Sequence, residues 1–401
     1  MEASQTELVA QASANLYPNY RQPPLVLARG EGSAVWDVAG KRYLDLAAGI
    51  AVSSLGHAHP ALVKALSEQA GRLIHVSNYF YNEKNIELAT RLTALTGMSR
   101  AFFCNSGTEA IEACIKLTRR HFYAKGEESR YRIIAFEQSF HGRTLGALAA
   151  TGQKAYRDGF GPLPGVTHVA YGDIAAVRGA MGPDVAGILV EPVQGEGGVN
   201  PAPQGFLRAL RDLCDGAGTL LVADEVQTGI GRTGKFLAFE HAGVAPDVVA
   251  LAKGLGGGVP IGAMLCKAPL EGALPPGSHG STFGGNALAS AAALAVLDTV
   301  AKEHLLEGAL MKGAHLAQAL AGLVTKHGKL AETSRGLGLL QALVLKEGVD
   351  ARDIVGKLRD EGLLLTIAGS RALRFSPPLT VSLADLDAGV AILDRVLTAH
   401  A

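Results

Sequence analysis

The chain has 401 residues, and 37 Lys plus Arg balance 37 Asp plus Glu, so its formal net charge is zero. That balance leaves no basic excess for nucleic acid, and no basic amphipathic segment marks a membrane-surface helix. The length suits about two domains, and the four cysteines (Cys104, Cys114, Cys214, Cys266), with neither C-x-x-C nor metal-ligand spacing, are expected to be buried, reduced thiols of a cytoplasmic protein.

The first residues, MEASQTELVAQAS, carry an early acid and no apolar stretch, which does not read as a signal peptide. Residues 1–50 read as a helix, an extended Pro-containing stretch and a hairpin-like pair, GSAVWDVAG then KRYLDLAAG. His57 and His59 in GHAHP have no third partner that would make a metal site, so a loop or N-cap role is expected. From His57 to Gly285 short apolar strands, at 101–104, 132–136, 186–190, 220–223 and 248–252, alternate with helical segments. After Cys104, Ser106 and Glu109 form an S-x-x-E capping box ahead of a helix that Gly126 can stop. This alternation predicts an α/β fold, a mainly parallel sheet with helices on both faces. A helix over 287–303 then leads into a different rhythm: helices at 305–327, 351–361 and 383–398, with strands near 338–345 and 372–375. The expected organisation is an N-terminal segment (1–50) packing with a small α+β domain (286–401), and a large domain between them (51–285).

Two features in the large domain compete for the chemistry. The run GIGRTGK, from Gly229 to Lys235, resembles a nucleotide loop, but Phe236 stands where a P-loop needs Ser or Thr, and Gly243 and Pro246 leave little room for a dinucleotide helix. Nucleotide binding stays a distant alternative, favoured only if Gly234 opens a long helix. The second feature is Lys253, the only charged residue in VVALAKGLGGGVPIGAMLC. Taken alone it could be a surface lysine in a glycine-rich turn. Buried at a strand end, its amine would be pushed toward the neutral, nucleophilic form. Asp224 ends LLVA, and Ser106, Gly107 and Thr108 open the capped helix, so all would meet at the carboxyl edge of the sheet. An amine, a carboxylate and a helix N-terminus suited to phosphate match pyridoxal phosphate.

The blocks FFCNSGTEA, FHGRT, EPVQGEGG, LVADEVQTGIGRTG, ALAKGLGGGVPIGA and HGSTFGGN resemble, in order, the signatures of the class III (ω-amino) aminotransferases. The resemblance runs from about Gly30 to Arg374, and GIAVSSLGHAHP, SNYFYNE and LRFSPPL are most similar to the acetylornithine aminotransferase branch. It implies a fold type I transferase acting as a homodimer with shared active sites. Lys253 would carry the cofactor as a Schiff base and move the proton during turnover. Asp224 would pair with the ring nitrogen, with Glu225 beside it. Gln227 would meet the phenolic oxygen, Val226 and Phe140 would flank the ring, and His141 would lie alongside. Ser106, Gly107 and Thr108 would hold the phosphate, with Thr282 reaching in from the other subunit and Ser281 touching substrate. Arg143 would grip the donor α-carboxylate and Arg374 that of 2-oxoglutarate or glutamate, with Glu196 pairing with Arg374 while the donor is bound. Tyr20 would line the donor site. The implied reaction moves the terminal amine of N-acetylornithine to 2-oxoglutarate, as in arginine biosynthesis. Succinyl-diaminopimelate, carrier-linked lysine, ornithine and 4-aminobutyrate are the alternative donors. The chain departs from the family pattern at Ala287, where proline is common, and at Ile50, where ornithine aminotransferases carry tyrosine.

Overall fold

In the computed structural model, which describes residues 4–21 and 23–400, a seven-stranded sheet forms the centre of the molecule. Residues 1–3 and 22 of the N-terminal segment lie outside that description. The strand order across the sheet is Arg100–Cys104, Gly262–Cys266, Val248–Leu251, Leu220–Asp224, Val185–Val190, Arg132–Phe136 and Val166–Val169. Every strand runs parallel to the rest except Gly262–Cys266, which is antiparallel to both its neighbours. The middle strands are apolar up to their carboxyl ends because both their faces are covered. Leu220 and Val222 pack with Ile111, Ala113 and Leu117 of the Gly107–Ala124 helix. Leu221 and Ala223 face the other way, onto Phe206, Leu207 and Leu210 of the Phe206–Ala217 helix. The fold class is therefore the expected α/β arrangement.

Local signals explain where the site-bearing helix starts and stops. The Ser106 hydroxyl accepts the Glu109 amide, but the return leg of the capping box differs from expectation: Glu109 accepts the Asn105 amide at 3.0 Å and the Ser106 hydroxyl at 2.8 Å. Gly126, at φ +81°, turns the chain away after Ala124. Beyond the Ala287–Lys302 helix, four antiparallel strands (Ala331–Leu337, Leu340–Leu345, Ala372–Phe375 and Thr366–Ala368) form a second sheet. The helices Leu305–Lys326, Ala351–Asp360 and Leu383–His400 accompany it. A third sheet joins chain ends: Leu27–Glu31, Ala34–Asp37 and Arg42–Asp45 are extended by Leu363–Leu364.

Ser376 fastens this N-terminal sheet to the end of the Ala372–Phe375 strand, its amide donating to Leu46 O and its hydroxyl to Ala47 O. All four cysteines are free and buried; burial pushes Cys104 and Cys214 up to about 12 and Cys266 to about 11, which favours the neutral thiol over the reactive thiolate. No helix among the described residues is long and apolar enough to cross a membrane.

Candidate active site

Strands that run parallel deliver their carboxyl ends to one edge of a sheet, and a crevice opens there. Here it is a cavity of about 210 Å³ lined by Gly107, Thr108, Phe140, His141, Gly142, Arg143, Glu191, Glu196, Asp224, Val226, Gln227 and Lys253. Lys253 lies two residues past Leu251, in a turn whose backbone is strained, with φ +43° at the lysine itself. Ser54 braces that turn through its hydroxyl on Gly254 O at 2.8 Å. Burial pushes the Lys253 ammonium below the ordinary lysine range, with Glu196 opposing the shift and Arg374 adding to it.

Asp224, at the end of its strand, is 5% exposed. One oxygen meets His141 Nδ1 at 2.7 Å and the other accepts the Val226 amide at 3.0 Å. His141 Nε2 is buried without a partner among the described residues. Behind the cavity-lining Glu196, Arg374 is buried, pairs with that carboxylate, and donates through Nε to the Thr366 hydroxyl at 3.0 Å. Burial pushes the Glu196 carboxyl up, but Arg374 and then Lys253 outweigh it and hold the carboxyl below its usual range. Arg143 is exposed at the mouth, its guanidinium 3.8 Å over the Tyr156 ring and 5.3 Å from that of Phe140. No carboxylate reaches it among the described residues.

Two glycines leave room that a side chain would fill. A Cβ on Gly107 would fall 2.7 Å from Val226 Cγ1, and one on Gly142 would fall 2.2 Å from Thr108 Oγ1. The opening beside Gly107 lies at the N-terminus of an 18-residue helix, where backbone N–H groups favour an anion. A planar group with a basic ring nitrogen, a carbonyl and a phosphate fits this set. Asp224 offers a buried carboxylate, Lys253 an amine, Gly107 and Thr108 amides, and Val226 and Phe140 apolar flanks.

Several expected members fall elsewhere. Glu225 turns away from the cavity because successive side chains at a strand end point to opposite faces. Its carboxylate accepts the Phe239 amide at 2.9 Å and bonds the Thr228 hydroxyl, and burial pushes it up to about 7. The Ser106 side chain is occupied in capping and does not line the cavity. Tyr20 is 82% exposed and lines neither this cavity nor the one that holds Ser281 and Thr282. That second cavity, of about 700 Å³, also borders Ser77, Asn78, Tyr79 and Phe102. Within one chain, then, Ser281 and Thr282 do not meet Lys253.

The nucleotide-loop alternative fails on its own condition. No long helix opens at Gly234; the chain instead makes a short turn at Ala238–Ala242, and Gly231 and Gly234 lie flat against Leu306 and Leu310. His59 is the N-cap residue of the Pro60–Ala70 helix, and His57 bonds Asp45 at 2.8 Å.

Sequence reasoning missed Glu191, a buried carboxyl at the cavity wall. It is raised well above its ordinary range by burial and then by Asp224, and it accepts the Phe140 amide at 3.1 Å. The signal was available: a lone acid directly after the fully apolar Val185–Val190 strand.

The profile of the family described as aminotransferase class-III matches residues 16–397. An acetylornithine aminotransferase of Myxococcus xanthus is 51% identical over 390 residues, covering 96% of each chain. Among solved structures, the ornithine aminotransferase of Toxoplasma gondii ME49 superposes with a TM-score of 0.96 at 34% identity, covering 100% of this chain and 96% of that one. A second structure of the Toxoplasma enzyme has PLP in partial occupancy at its active site. The acetylornithine aminotransferase of Elizabethkingia anophelis gives 0.89 at 36% identity, covering 99% and 100%. The chain belongs to the class III aminotransferases and is a pyridoxal-phosphate-dependent enzyme.

Proposed function

We propose that this aminotransferase moves the terminal amine of N-acetylornithine to 2-oxoglutarate, giving N-acetylglutamate 5-semialdehyde and glutamate. The observation that carries this reading is a pair of arginines: Arg143 open at the mouth of the cavity that holds Lys253, and Arg374 buried behind it and held by Glu196, which lines the same cavity. Two carboxylate grips, one of them gated, suit an enzyme that accepts two different carboxylic acids in turn. The 51% identity to an acetylornithine aminotransferase supports the choice of donor.

Pyridoxal phosphate, when bound, supplies an electron-poor ring that takes up the electron pair left as the substrate C–H bond breaks. The protein's own groups do the rest. Gly107 and Thr108 would hold the phosphate on the helix N-terminus, and Phe140 and Val226 would fix the plane of the ring. Asp224 would keep a proton on the ring nitrogen, and the bond from His141 aims its carboxylate. Lys253 would carry the cofactor, and its Nζ, made less basic by burial, would take the proton from substrate and return it. Gln227 would bond the phenolic oxygen. Arg143 would hold the donor, and Glu196 would release Arg374 when the keto acid enters. Residues 1–50, 51–285 and 286–401 are our division of the chain into N-terminal segment, large domain and small domain. The homodimer, with Ser281 and Thr282 of one copy completing the site of the other, belongs to the same proposal, as does a cytoplasmic location.

A donor panel with 2-oxoglutarate tests the reading. N-acetylornithine should exceed ornithine and 4-aminobutyrate in kcat/KM by about tenfold or more, the discrimination expected when a pocket bonds a polar group that its competitors lack. A higher value for 4-aminobutyrate would refute the donor assignment.

A further inference from the structure

A buried cation normally has a counter-ion, because an ammonium or guanidinium is costly to remove from water alone. Arg232 has none. It is 2% exposed, and no carboxylate comes within ion-pair reach of it among the described residues. Burial alone lowers it to about 10, which leaves it charged at neutral pH. What it has instead is two carbonyls on one nitrogen: Nη1 donates to Leu339 O at 3.2 Å and to Pro377 O.

The location of those carbonyls matters. Pro377 lies three residues beyond Arg374, two past the strand that ends at Phe375. Leu339 sits in the turn between Ala331–Leu337 and Leu340–Leu345, the strands that build the sheet behind Arg374. Arg232 itself belongs to the loop that begins at Asp224 and includes Gln227, whose side-chain oxygen is 3.5 Å from Arg374 Nη1. The backbone repeats the attachment: Leu339 N donates to Arg232 O at 3.0 Å, and a Cβ on Gly338 would fall 2.6 Å from Thr233 Cα. One guanidinium thus joins the loop after Asp224 to the two segments that set where Arg374 stands. Among the described residues no bond links it to Arg143, whose turn hangs on Thr108 instead.

We propose that Arg232 is a positioning residue for the keto-acid half of the reaction, holding Arg374 at the right distance from the cofactor residues while leaving the donor half untouched. A lysine would place a single point charge where the two carbonyls need a directed nitrogen on a planar fork. The inference rests on the assignment of Arg374 to the keto acid's α-carboxylate.

The two half-reactions of the purified holoenzyme separate the possibilities, each followed by cofactor absorbance in single turnovers. In R232M the apparent Kd for 2-oxoglutarate should rise by about tenfold or more, as expected for a misplaced binding group, while the donor half-reaction changes less than about threefold. R232K should show a smaller rise confined to the same half, and it carries the test if R232M does not fold. Combined with R374K, the effect of R232M should shrink, because both act on one contact. Equal losses in both halves, an unchanged affinity for 2-oxoglutarate, or multiplying effects with R374K would overturn the proposal. A wild-type enzyme that ignores 2-oxoglutarate would instead refute the acceptor reading. Glyoxylate or pyruvate, each with the same α-carboxylate, then serves for the Arg232 comparison.

Discussion

Three glutamates stand at or next to the cavity, and their surroundings shift their titration in different ways. Glu196 faces Arg374 and Lys253 and is held anionic; Glu191, buried without a cation in contact, is pushed up; Glu225 is pushed to about 7. Only the last has a titration window that leads to a stability prediction, from its ordinary 4.5 to about 7. Its folded value lies above the ordinary 4.5, so between pH 4.5 and 7 the folded chain keeps a proton that the unfolded chain loses. Stability from this group is complete below that window, falls as pH rises through it, and is flat above. Replacing Glu225 with glutamine removes the dependence. The stability difference between E225Q and wild type should therefore shift in favour of the mutant from pH 5 to pH 7.5, by up to about 3 kcal/mol, read as a diverging Tm. Because Glu225 faces Thr228 and Phe239 and not the cavity, PLP affinity should stay within a few-fold. A constant Tm difference would refute the raised titration of Glu225, and loss of cofactor would show that Glu225 belongs to the site after all.

At the scale of elements, the first turn of the Gly107–Ala124 helix has a second task besides offering amides. Thr108 Oγ1 accepts the amides of Arg143 at 3.1 Å and Thr144 at 3.2 Å and meets the Thr144 hydroxyl at 2.8 Å. Glu112, one turn on, accepts the amides of Gly146 and Ala147. The turn that carries Arg143 is thus hung on the helix that starts at the phosphate position. Thr108→Ala should raise the donor KM by about threefold to thirtyfold, the loss of one or two hydrogen bonds, while Thr108→Ser stays near wild type. An equal effect on the 2-oxoglutarate KM would contradict this division of labour.

The helix was legible in the sequence because its start signals are local: Ser106, Glu109, then apolar residues at helical spacing. The Gly262–Cys266 strand was not. GAMLC follows a glycine-rich turn and begins with glycine itself, and it becomes a strand only because two neighbours pair with it on either side. Val166–Val169 is a short edge strand with only Val169 buried, so it gives neither alternation nor an apolar run. Lys253, Asp224 and the arginines could be named from motif blocks. The tasks of Thr108 and Arg232 are contacts across 36 and 145 residues, and no local pattern carries those.

The whole molecule poses a different question, because its proposed site is split between two cavities. Lys253 lies in one, while Ser281 and Thr282 border another alongside Asn78 and Tyr79. Beside the second cavity the chain exposes Tyr79, Phe80, Tyr81 and Phe283 at 60–90%. Bulky aromatics left outward in a row are characteristic of a surface that another subunit covers. If a second copy brings Thr282 to the phosphate, each site needs Lys253 from one chain and Thr282 from the other, and two damaged chains can repair each other. Lys253→Ala destroys the site in its own chain but still lends an intact Thr282. Thr282→Asp keeps Lys253 but places a carboxylate against its partner's phosphate. Each variant alone should be close to inactive with PLP supplied at wild-type levels. Co-expressed in equal amounts they form mixed dimers as half of the population, each with one complete site, so about a quarter of wild-type activity should return. A site built within one chain would give no recovery beyond the sum of the two variants, and sedimentation of the mixture would report whether mixed dimers had formed.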